Sequence, residues 1–431
     1  MTPISQLQTF LQTTDFQTLL QEIYIDSSLL DYQQKRYSRA LSVYTEKFGA
    51  SQESEVAVFS APGRSEIGGN HTDHQHGKVL AASINLDAIA VVGLLDAPEV
   101  RVISGDSDLI CISLEHLSKE KDDEGTTDGL IKGVLASFRE RGYRLGGFQA
   151  YVTSDVLIGA GLSSSAAFES LIGTIVSSLF NEGSVSPVEI AQIGQYAENV
   201  YFGKPCGLMD QMACSVGSLV YIDFEDPATP VLQTIEFDLS DVSFSLCIVD
   251  TKGSHADLTP DYAAIPAEMK QIASYFGKEV LREVSPEEIV ANMQDLRNLA
   301  GDRAVLRALH FTEENRRVEE EVNALKNHDF EAFLNTVKES GHSSFCFLQN
   351  VYTPQNLTAQ NVSLALAVSE ILLNKKNAGV CRVHGGGFAG TIQAFVRNDA
   401  VEEYRTTLES VFGQGSCHIL KIRKYGGRQV L

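Results

Sequence analysis

Gly159-Ala160-Gly161-Leu162-Ser163-Ser164-Ser165-Ala166-Ala167 leads directly into an apolar run that keeps helical spacing as far as Phe180. Two glycines ahead of three serines put pliable backbone at the start of a long helix. Free N–H groups and the helix dipole at such a terminus make a site for anions. Gly159 and Gly161 let the backbone approach a polyphosphate. The hydroxyls of Ser163, Ser164 and Ser165 suit phosphate or Mg²⁺, a hard ion that takes oxygen donors. The same residues also fit a serine-capped helix after a flexible turn, and a short motif does not decide between the two.

Upstream, Leu7, Phe10, Leu11, Leu19, Leu20 and Ile23 recur at helical spacing, and Tyr32 to Phe48 reads as another helix. Residues 1 to about 50 are therefore expected to form a helical extension. A strand is expected from Glu55 to Phe59, broken by Ala61-Pro62-Gly63, with further strands at Ile84 to Leu95, Val100 to Ile103 and Gly147 to Val152. Thr127 to Tyr143 reads as a helix. Downstream, Ser186-Pro187 opens a helix to about Tyr201, which Gly203-Lys204-Pro205-Cys206-Gly207 stops. Gly217 to Phe224 and Phe244 to Asp250 are strand-like. Helices near 263–276, 313–326, 329–340 and 359–374, with strands around Gly379–Val383, Thr391–Val396 and Cys417–Ile422, complete an α+β pattern. No repeat or low-complexity linker marks a boundary. Two domains are expected, 1–240 and 241–431.

The chain has 431 residues, 43% of them apolar, and a formal charge of −22. It can bury large cores without disulfides or structural metals. Its charge repels nucleic acid and anionic membranes, so any phosphate site must be local. Cys111, Cys206, Cys214, Cys247, Cys346, Cys381 and Cys417 contain no CxxC pair and sit mostly in apolar runs, as reduced thiols in a cytosol do. The first basic residue is Lys35, so the start lacks the basic region of a secretory signal. No apolar run approaches the roughly 20 residues of a membrane span. The expectation is a cytoplasmic protein, monomeric or weakly self-associating, with a small-molecule ligand and no nucleic-acid or membrane partner.

There is no GxxxxGK[ST], so an ordinary P-loop is excluded. His384-Gly385-Gly386-Gly387-Phe388-Ala389-Gly390 contains a GxGxxG match, but Thr391 to Val396 after it reads as a strand, whereas a dinucleotide fold needs a helix there. It is expected to be a packing turn or a wall beside a ligand. Gly63-Arg64-Ser65-Glu66-Ile67-Gly68-Gly69-Asn70-His71-Thr72-Asp73-His74-Gln75-His76-Gly77 is read as a polar loop. Its histidines and Asp73 match no standard zinc spacing. Mixed donors and acceptors suit a polyhydroxylated ligand better. Asp210, set among Leu208, Met209, Met212 and Ala213, is either a buried structural carboxylate or a base that activates a hydroxyl.

Taken together, these segments resemble the GHMP kinases, and within them the galactokinases, from about Ala61 to the C-terminus. Ala61-Pro62-Gly63-Arg64 through Gly69-Asn70-His71-Thr72-Asp73 looks like the galactokinase signature. Gly159 to Ala166 looks like the family's ATP loop, and Gly385 to Gly390 like its third motif. Glu198 with Gly203 to Gln211, and His255 to Tyr262, are similar to further galactokinase segments. The resemblance implies a ribosomal-protein-S5-like N-terminal domain, a ferredoxin-like C-terminal domain and an active site between them. It implies ATP and Mg²⁺, and phosphorylation of galactose at its anomeric hydroxyl. Asp210 would take the proton, and Arg64 would hold Asp210 ionised and stabilise the transferring phosphoryl group. Ser165 and Glu198 would ligate Mg²⁺. Gly159, Gly161, Leu162, Ser163, Ser164, Ser165 and Ala166 would hold the nucleotide. Asn70, His71, Asp73, Gly207 and Tyr262 would hold the sugar. Such a set suits phosphoryl transfer, which asks mainly for positioning and charge neutralisation.

The chain departs from that pattern. Galactokinases usually have Glu at Asn70, Asn at Glu66, Tyr at His74, Pro at Leu157 and Gly at Ala389. An acidic stretch is usual where this chain has Leu348-Gln349-Asn350-Val351-Tyr352. A carboxylate at position 70 would repel a C6 carboxylate on the sugar, and an amide could donate to it. Galacturonate or another modified hexose is thus the second substrate reading, behind galactose. A non-catalytic sugar and ATP sensor is the alternative from another class. The complete Ser163-Ser164-Ser165-Ala166 loop, with Asp210, Glu198 and Arg64, favours an enzyme.

Overall fold

The computed structural model describes residues 1–157, 161–253 and 258–431. Gly159 and His255 therefore lie outside the described residues.

The chain opens with a two-residue strand, β1 (Thr2–Pro3), and three helices, α1 (Ile4–Phe10), α2 (Thr14–Tyr24) and α3 (Leu30–Phe48). Thr13 caps α2 by accepting from Phe16 N, and Gly49 ends α3 in the left-handed region at φ 62°. The next strands are β2 (Glu55–Gly68), β3 (Lys78–Leu95), β4 (Glu99–Ser104) and β5 (Ile110–Ser113). Helix α4 (Thr127–Glu140), β6 (Gly147–Ser154), α5 (Ser164–Phe180), α6 (Pro187–Tyr196) and α7 (Met209–Val216) follow, then β7 (Leu219–Asp223) and β8 (Val231–Ile235).

These strands form a sheet in the order β1-β2-β3-β6-β4-β5. β7 and β8 extend from the far end of the long β3. Along β2, Val56 and Val58 face the N-terminal helices, and Ala57, Phe59 and Ala61 face the layer of α4, α5 and α6. Helices on both sides explain why the strand reads as a continuous apolar run. β2 is also longer than expected. It passes through Ala61-Pro62-Gly63 to Gly68, with register shifts between Pro62 and Arg64 and between Glu66 and Gly68. Proline is accommodated where the ladder is interrupted. The first half of the signature is thus strand, and a loop begins only at Gly69.

The second half contains β9 (Phe244–Asp250), α8 (Thr259–Tyr275), α9 (Pro286–Ala291), α10 (Met293–Lys326), α11 (Phe330–Ser343), α12 (Asn361–Lys376), β10 (Gly379–Val383), β11 (Thr391–Arg397), α13 (Val401–Phe412) and β12 (Cys417–Leu420). α10 starts well before the expected residue 313 and breaks its helical path at Gly301. The antiparallel sheet runs β10-β11-β9-β12. α12 and α13 pack on one face, and α10 and α11 cover the other. Ile67, Leu80 and Ala82 from the first sheet share a core with Leu246, Ile248 and Phe395 from the second.

The C-terminus returns to the first sheet, where β13 (Arg428–Gln429) pairs with β2. Asp87, fully buried on β3, joins three parts of the chain. It accepts from Arg36 of the extension at 2.6 Å, from Tyr24 at 2.9 Å and from Arg423 at 2.9 Å. Those cations hold its carboxyl below the usual range although burial pushes the other way. No helix among the described residues is long and apolar enough to cross a membrane.

Candidate active site

Arg64 stands on β2 past its bulge, and Asp210 in the first turn of α7. The guanidinium grips the carboxylate with both edges, Nε to Oδ1 at 2.7 Å and Nη2 to Oδ2 at 2.8 Å. Such a fork is stronger and more directional than a single charged bond. Ser163 Oγ donates to Oδ2 as well, and Arg64 Nη1 donates to the Gly161 carbonyl. Burial pushes the Asp210 carboxyl up, but Arg64 and Ser163 outweigh it and hold it below its ordinary value. Asp210 is thus held ionised near neutral pH. Its side chain stays 31% exposed where that of Arg64 is 7% exposed, so one face of the carboxylate remains open.

The same contacts shape the start of α5. Ser163 lies in the left-handed region at φ 57°, and no side chain caps the first turn. Its hydroxyl, the usual cap, is turned to Asp210. Among the described residues no side chain caps the amides at the head of α5, and such a terminus suits an anion. Leu162 and Ala166 are fully buried in the core shared by the two sheets, so only their backbone is left for a ligand. Gly161, at φ 65°, rests on the turn between β10 and β11. A Cβ there would come within 2.9 Å of Thr391 Oγ1. Ser164 and Ser165 border a cavity of about 890 Å³, with Val152, Leu157 and Phe168 among its apolar walls.

Glu198 occupies a π-helical turn over Ala197–Phe202, a local widening that often marks functional positions. Its Oε1 accepts from Ser165 Oγ at 3.1 Å and from Lys204 Nζ at 3.0 Å. Gln211 Nε2 bridges Glu198 at 2.8 Å to Glu169 at 3.1 Å. Glu169 is buried, and its Oε1 has no hydrogen-bond partner among the described residues. Burial, then the neighbouring Glu198, pushes the Glu169 carboxyl well up. No group of three or more His, Cys, Asp or Glu suited to a metal is found among the described residues. Mg²⁺ does not need one, because it takes one or two carboxylates and completes its shell with water and substrate phosphate. The hydroxyl of Ser165, the carboxylate of Glu198 and the orphan oxygen of Glu169 fit that requirement, and Mg²⁺ would displace the Lys204 ammonium from Glu198 Oε1.

The expected sugar residues gather beside this centre. Gly207 packs so tightly on Asp73 that a Cβ would fall 1.7 Å from Asp73 Oδ2. Burial, then Asp210, raises the Asp73 carboxyl. His71 Nε2 lies 3.1 Å from the Gly386 carbonyl, and Tyr262 donates to the Gly387 carbonyl at 3.0 Å. Burial lowers His71 to about 3 and His74 to about 4, so both rings are neutral near pH 7.

Asn70 is the exception. It is fully buried. Its Nδ2 donates to Glu66 Oε1 at 3.0 Å and to the Gly385 carbonyl at 2.7 Å. Its Oδ1 accepts from Asn350 at 2.9 Å and from Ser344 at 3.3 Å. An amide has two donor hydrogens and two acceptor sites, and all four are occupied. Asn70 therefore braces the glycine turn, with its amide engaged by protein partners. An amide engaged in this way offers little to a sugar carboxylate, which lessens the reason for holding galacturonate as the second substrate reading behind galactose. Its partner Glu66 is the other signature position where side-chain type departs, so the two departures form one carboxylate–amide pair.

Several residues of this layer escaped the sequence reading. His310, Glu314, Arg317 and Glu321 line one buried face of α10. His310 Nε2 lies 2.9 Å from the Asn70 carbonyl, and Glu314 accepts from the amides of Gly69 and Asn70. Arg382, fully buried, pairs with Glu66 and donates to the Ile67 carbonyl at 3.0 Å. The signal was available: polar residues spaced four, seven and eleven apart repeat on one helix face.

Residues 42–94 match the family described as the galactokinase galactose-binding signature, and residues 129–218 match the GHMP kinases N terminal domain. A galactokinase of Streptomyces coelicolor is 31% identical over 374 residues, which span 86% of this chain and 91% of that protein. The chain belongs to the galactokinase family. A galactokinase of Glaesserella parasuis is 32% identical over 82% of this chain and 88% of its own. The structure of Lactococcus lactis galactokinase complexed with galactose superposes with a TM-score of 0.77, at 25% identity over 90% of this chain and 99% of that one. A mevalonate kinase, 14% identical, shares the fold with a TM-score of 0.57 over 86% of this chain and 98% of its own. The expected two-domain GHMP kinase architecture is therefore the one observed.

Proposed function

We propose that this protein phosphorylates galactose at the anomeric hydroxyl with ATP, giving galactose 1-phosphate and ADP. The observation that carries the reading is the forked Arg64–Asp210 pair set at the uncapped head of α5. A base and an anion site there stand within reach of one reacting bond. Relatives named galactokinase, alike over most of the chain, support the substrate.

In this reading Asp210 accepts the proton of the anomeric hydroxyl as the sugar oxygen bonds to the γ-phosphorus and the bond to the ADP oxygen breaks. Arg64 keeps Asp210 ionised and offers positive charge where the phosphoryl oxygens gather negative charge. Asp73, His71 and Tyr262 orient the sugar, and Gly207 leaves room for Asp73. The head of α5, with Gly161, Ser163, Ser164 and Ser165, cradles the phosphates. Ser165 and Glu198, with Glu169 behind them, would hold Mg²⁺, which when bound neutralises phosphate charge. Release of ADP from ATP is measured with galactose, galacturonate, glucose and no sugar. Turnover with galactose supports the proposal, turnover with galacturonate alone reassigns the substrate, and silence on all sugars replaces the enzyme with a sensor.

A further inference from the structure

We infer that the N-terminal helices belong to the phosphoryl-donor site, with Tyr32 and Gln33 at the start of α3 walling the cavity that takes the donor's purine nucleoside. The inference rests on the phosphotransferase reading above. A triphosphate lying on the head of α5 directs its nucleoside into the adjoining space of about 890 Å³, which Ser164 and Ser165 border. That size and its mostly apolar lining suit a small-molecule ligand. Leu29, Tyr32 and Gln33 line the same cavity.

A purely structural role for the extension leaves these residues unexplained. The helices are fixed to the sheet by Phe16, Leu20, Tyr37, Leu41 and their neighbours, a core in which Tyr32 has no part. Tyr32 is instead 52% exposed, which leaves ring surface for a ligand. It is also held in place. Its hydroxyl donates to Asp155 Oδ1 at 2.9 Å, Gln33 Nε2 donates to Oδ2 at 3.4 Å, and Arg36 Nη1 lies 3.1 Å from that same Oδ2. Asp155 is itself anchored, its amide donating to the Asp87 carbonyl at 2.9 Å. An aromatic face fixed before binding offers a stacking surface to a base at little further entropic cost. Asp155 precedes Val156 and Leu157, which also line the cavity. The extension thus holds one wall of the cavity and the chain entering the donor loop.

The test compares Tyr32→Ala and Tyr32→Phe with the wild type. Binding of a fluorescent ATP analogue without sugar is read beside KM for ATP, KM for galactose and melting temperature. Tyr32→Ala is expected to weaken nucleotide binding and raise KM for ATP by about 5- to 100-fold, the range of base–aromatic stacking. KM for galactose stays within about twofold, and Tyr32→Phe keeps most of the affinity because the ring remains. Unchanged nucleotide affinity in Tyr32→Ala overturns the inference. So does a parallel rise in both KM values with a lowered melting temperature, which marks a structural cap. Nucleotide binding that depends on Tyr32 in a protein that phosphorylates no sugar would sink the galactokinase reading and leave this one standing.

Discussion

Arg64 and Asp210, 146 residues apart in the chain, face each other through parallel hydrogen bonds of 2.7 and 2.8 Å. In the proposed reaction this pair sets where the proton goes and which protonation state waits for it. Because Arg64 holds the Asp210 carboxyl below its ordinary value, the base stays charged across the neutral and mildly acidic range. A loss of kcat/KM between pH 8 and pH 5 would then come from another group.

Asp210→Asn keeps the shape of the site but removes the proton acceptor. The turnover number is expected to fall by about 10²- to 10⁴-fold, the usual contribution of a general base. Galactose binding, followed by calorimetry, should persist. A variant that turns over at the wild-type rate would exclude Asp210 as the base.

Arg64→Ala leaves a carboxylate with no counter-charge in a largely buried site. Breaking such a pair costs about 3–5 kcal/mol, less where water reaches the remaining charge, as it does here. Arg64→Lys restores charge but not the fork. The expected order of kcat is wild type, Lys, then Ala, with denaturant midpoints falling in the same order. Equal rates in all three would contradict the electrostatic role.

Gly207→Ala drives a methyl to 1.7 Å from Asp73 Oδ2, far inside contact distance. Asp73 must move. KM for galactose is expected to rise by about tenfold or more, the consequence of losing a hydrogen bond to a charged group, with KM for ATP little changed. Steady-state kinetics on both substrates separates the two. A rise confined to ATP would place Gly207 on the donor side.

Glu198→Gln weakens the oxygen donors available to a divalent ion without changing their shape. The Mg²⁺ concentration for half-maximal rate should rise, while a fluorescent nucleotide still binds in the absence of metal. If the Mg²⁺ curve is superimposable on wild type, Glu198 is not a ligand.

Glu66 supplies a test of stability against pH. Burial raises its carboxyl to about 7 against the pull of Arg382, Arg64 and Asn70. The folded protein keeps this proton up to about pH 7, and the unfolded chain releases it near 4.5. Stability from this group is therefore complete below about 4.5 and is lost as pH rises to about 7, with a slope on the order of 1 kcal/mol per pH unit. Glu66→Gln cannot titrate. Its melting temperature should change less between pH 5 and 7.5 than that of the wild type, and identical slopes would mean that Glu66 titrates normally.

The order of elements and the three glycine-rich motifs were legible in the sequence because helical and strand periodicities are local. Gly161, Ser163, Ser165, Glu198, Asp210 and Arg64 could be singled out for the same reason, since motif spacing is written along the chain. What each contacts was not. The continuation of β2 through Pro62 was missed because a bulge suspends the local rule against proline in strands. The polar face of α10 was missed because its partners, Gly69, Asn70 and Arg382, come from distant parts of the chain.

The family, the class of chemistry and the kinds of side chain available to perform it can be read along the chain. Folding turns the Ser163 hydroxyl to Asp210 and leaves the head of α5 without a side-chain cap. Folding also saturates the Asn70 amide within the protein. The reason is physical. A residue type fixes what a group can donate, accept or ionise, but burial and the partners that folding brings within about 3 Å fix which of those capacities remain for a ligand.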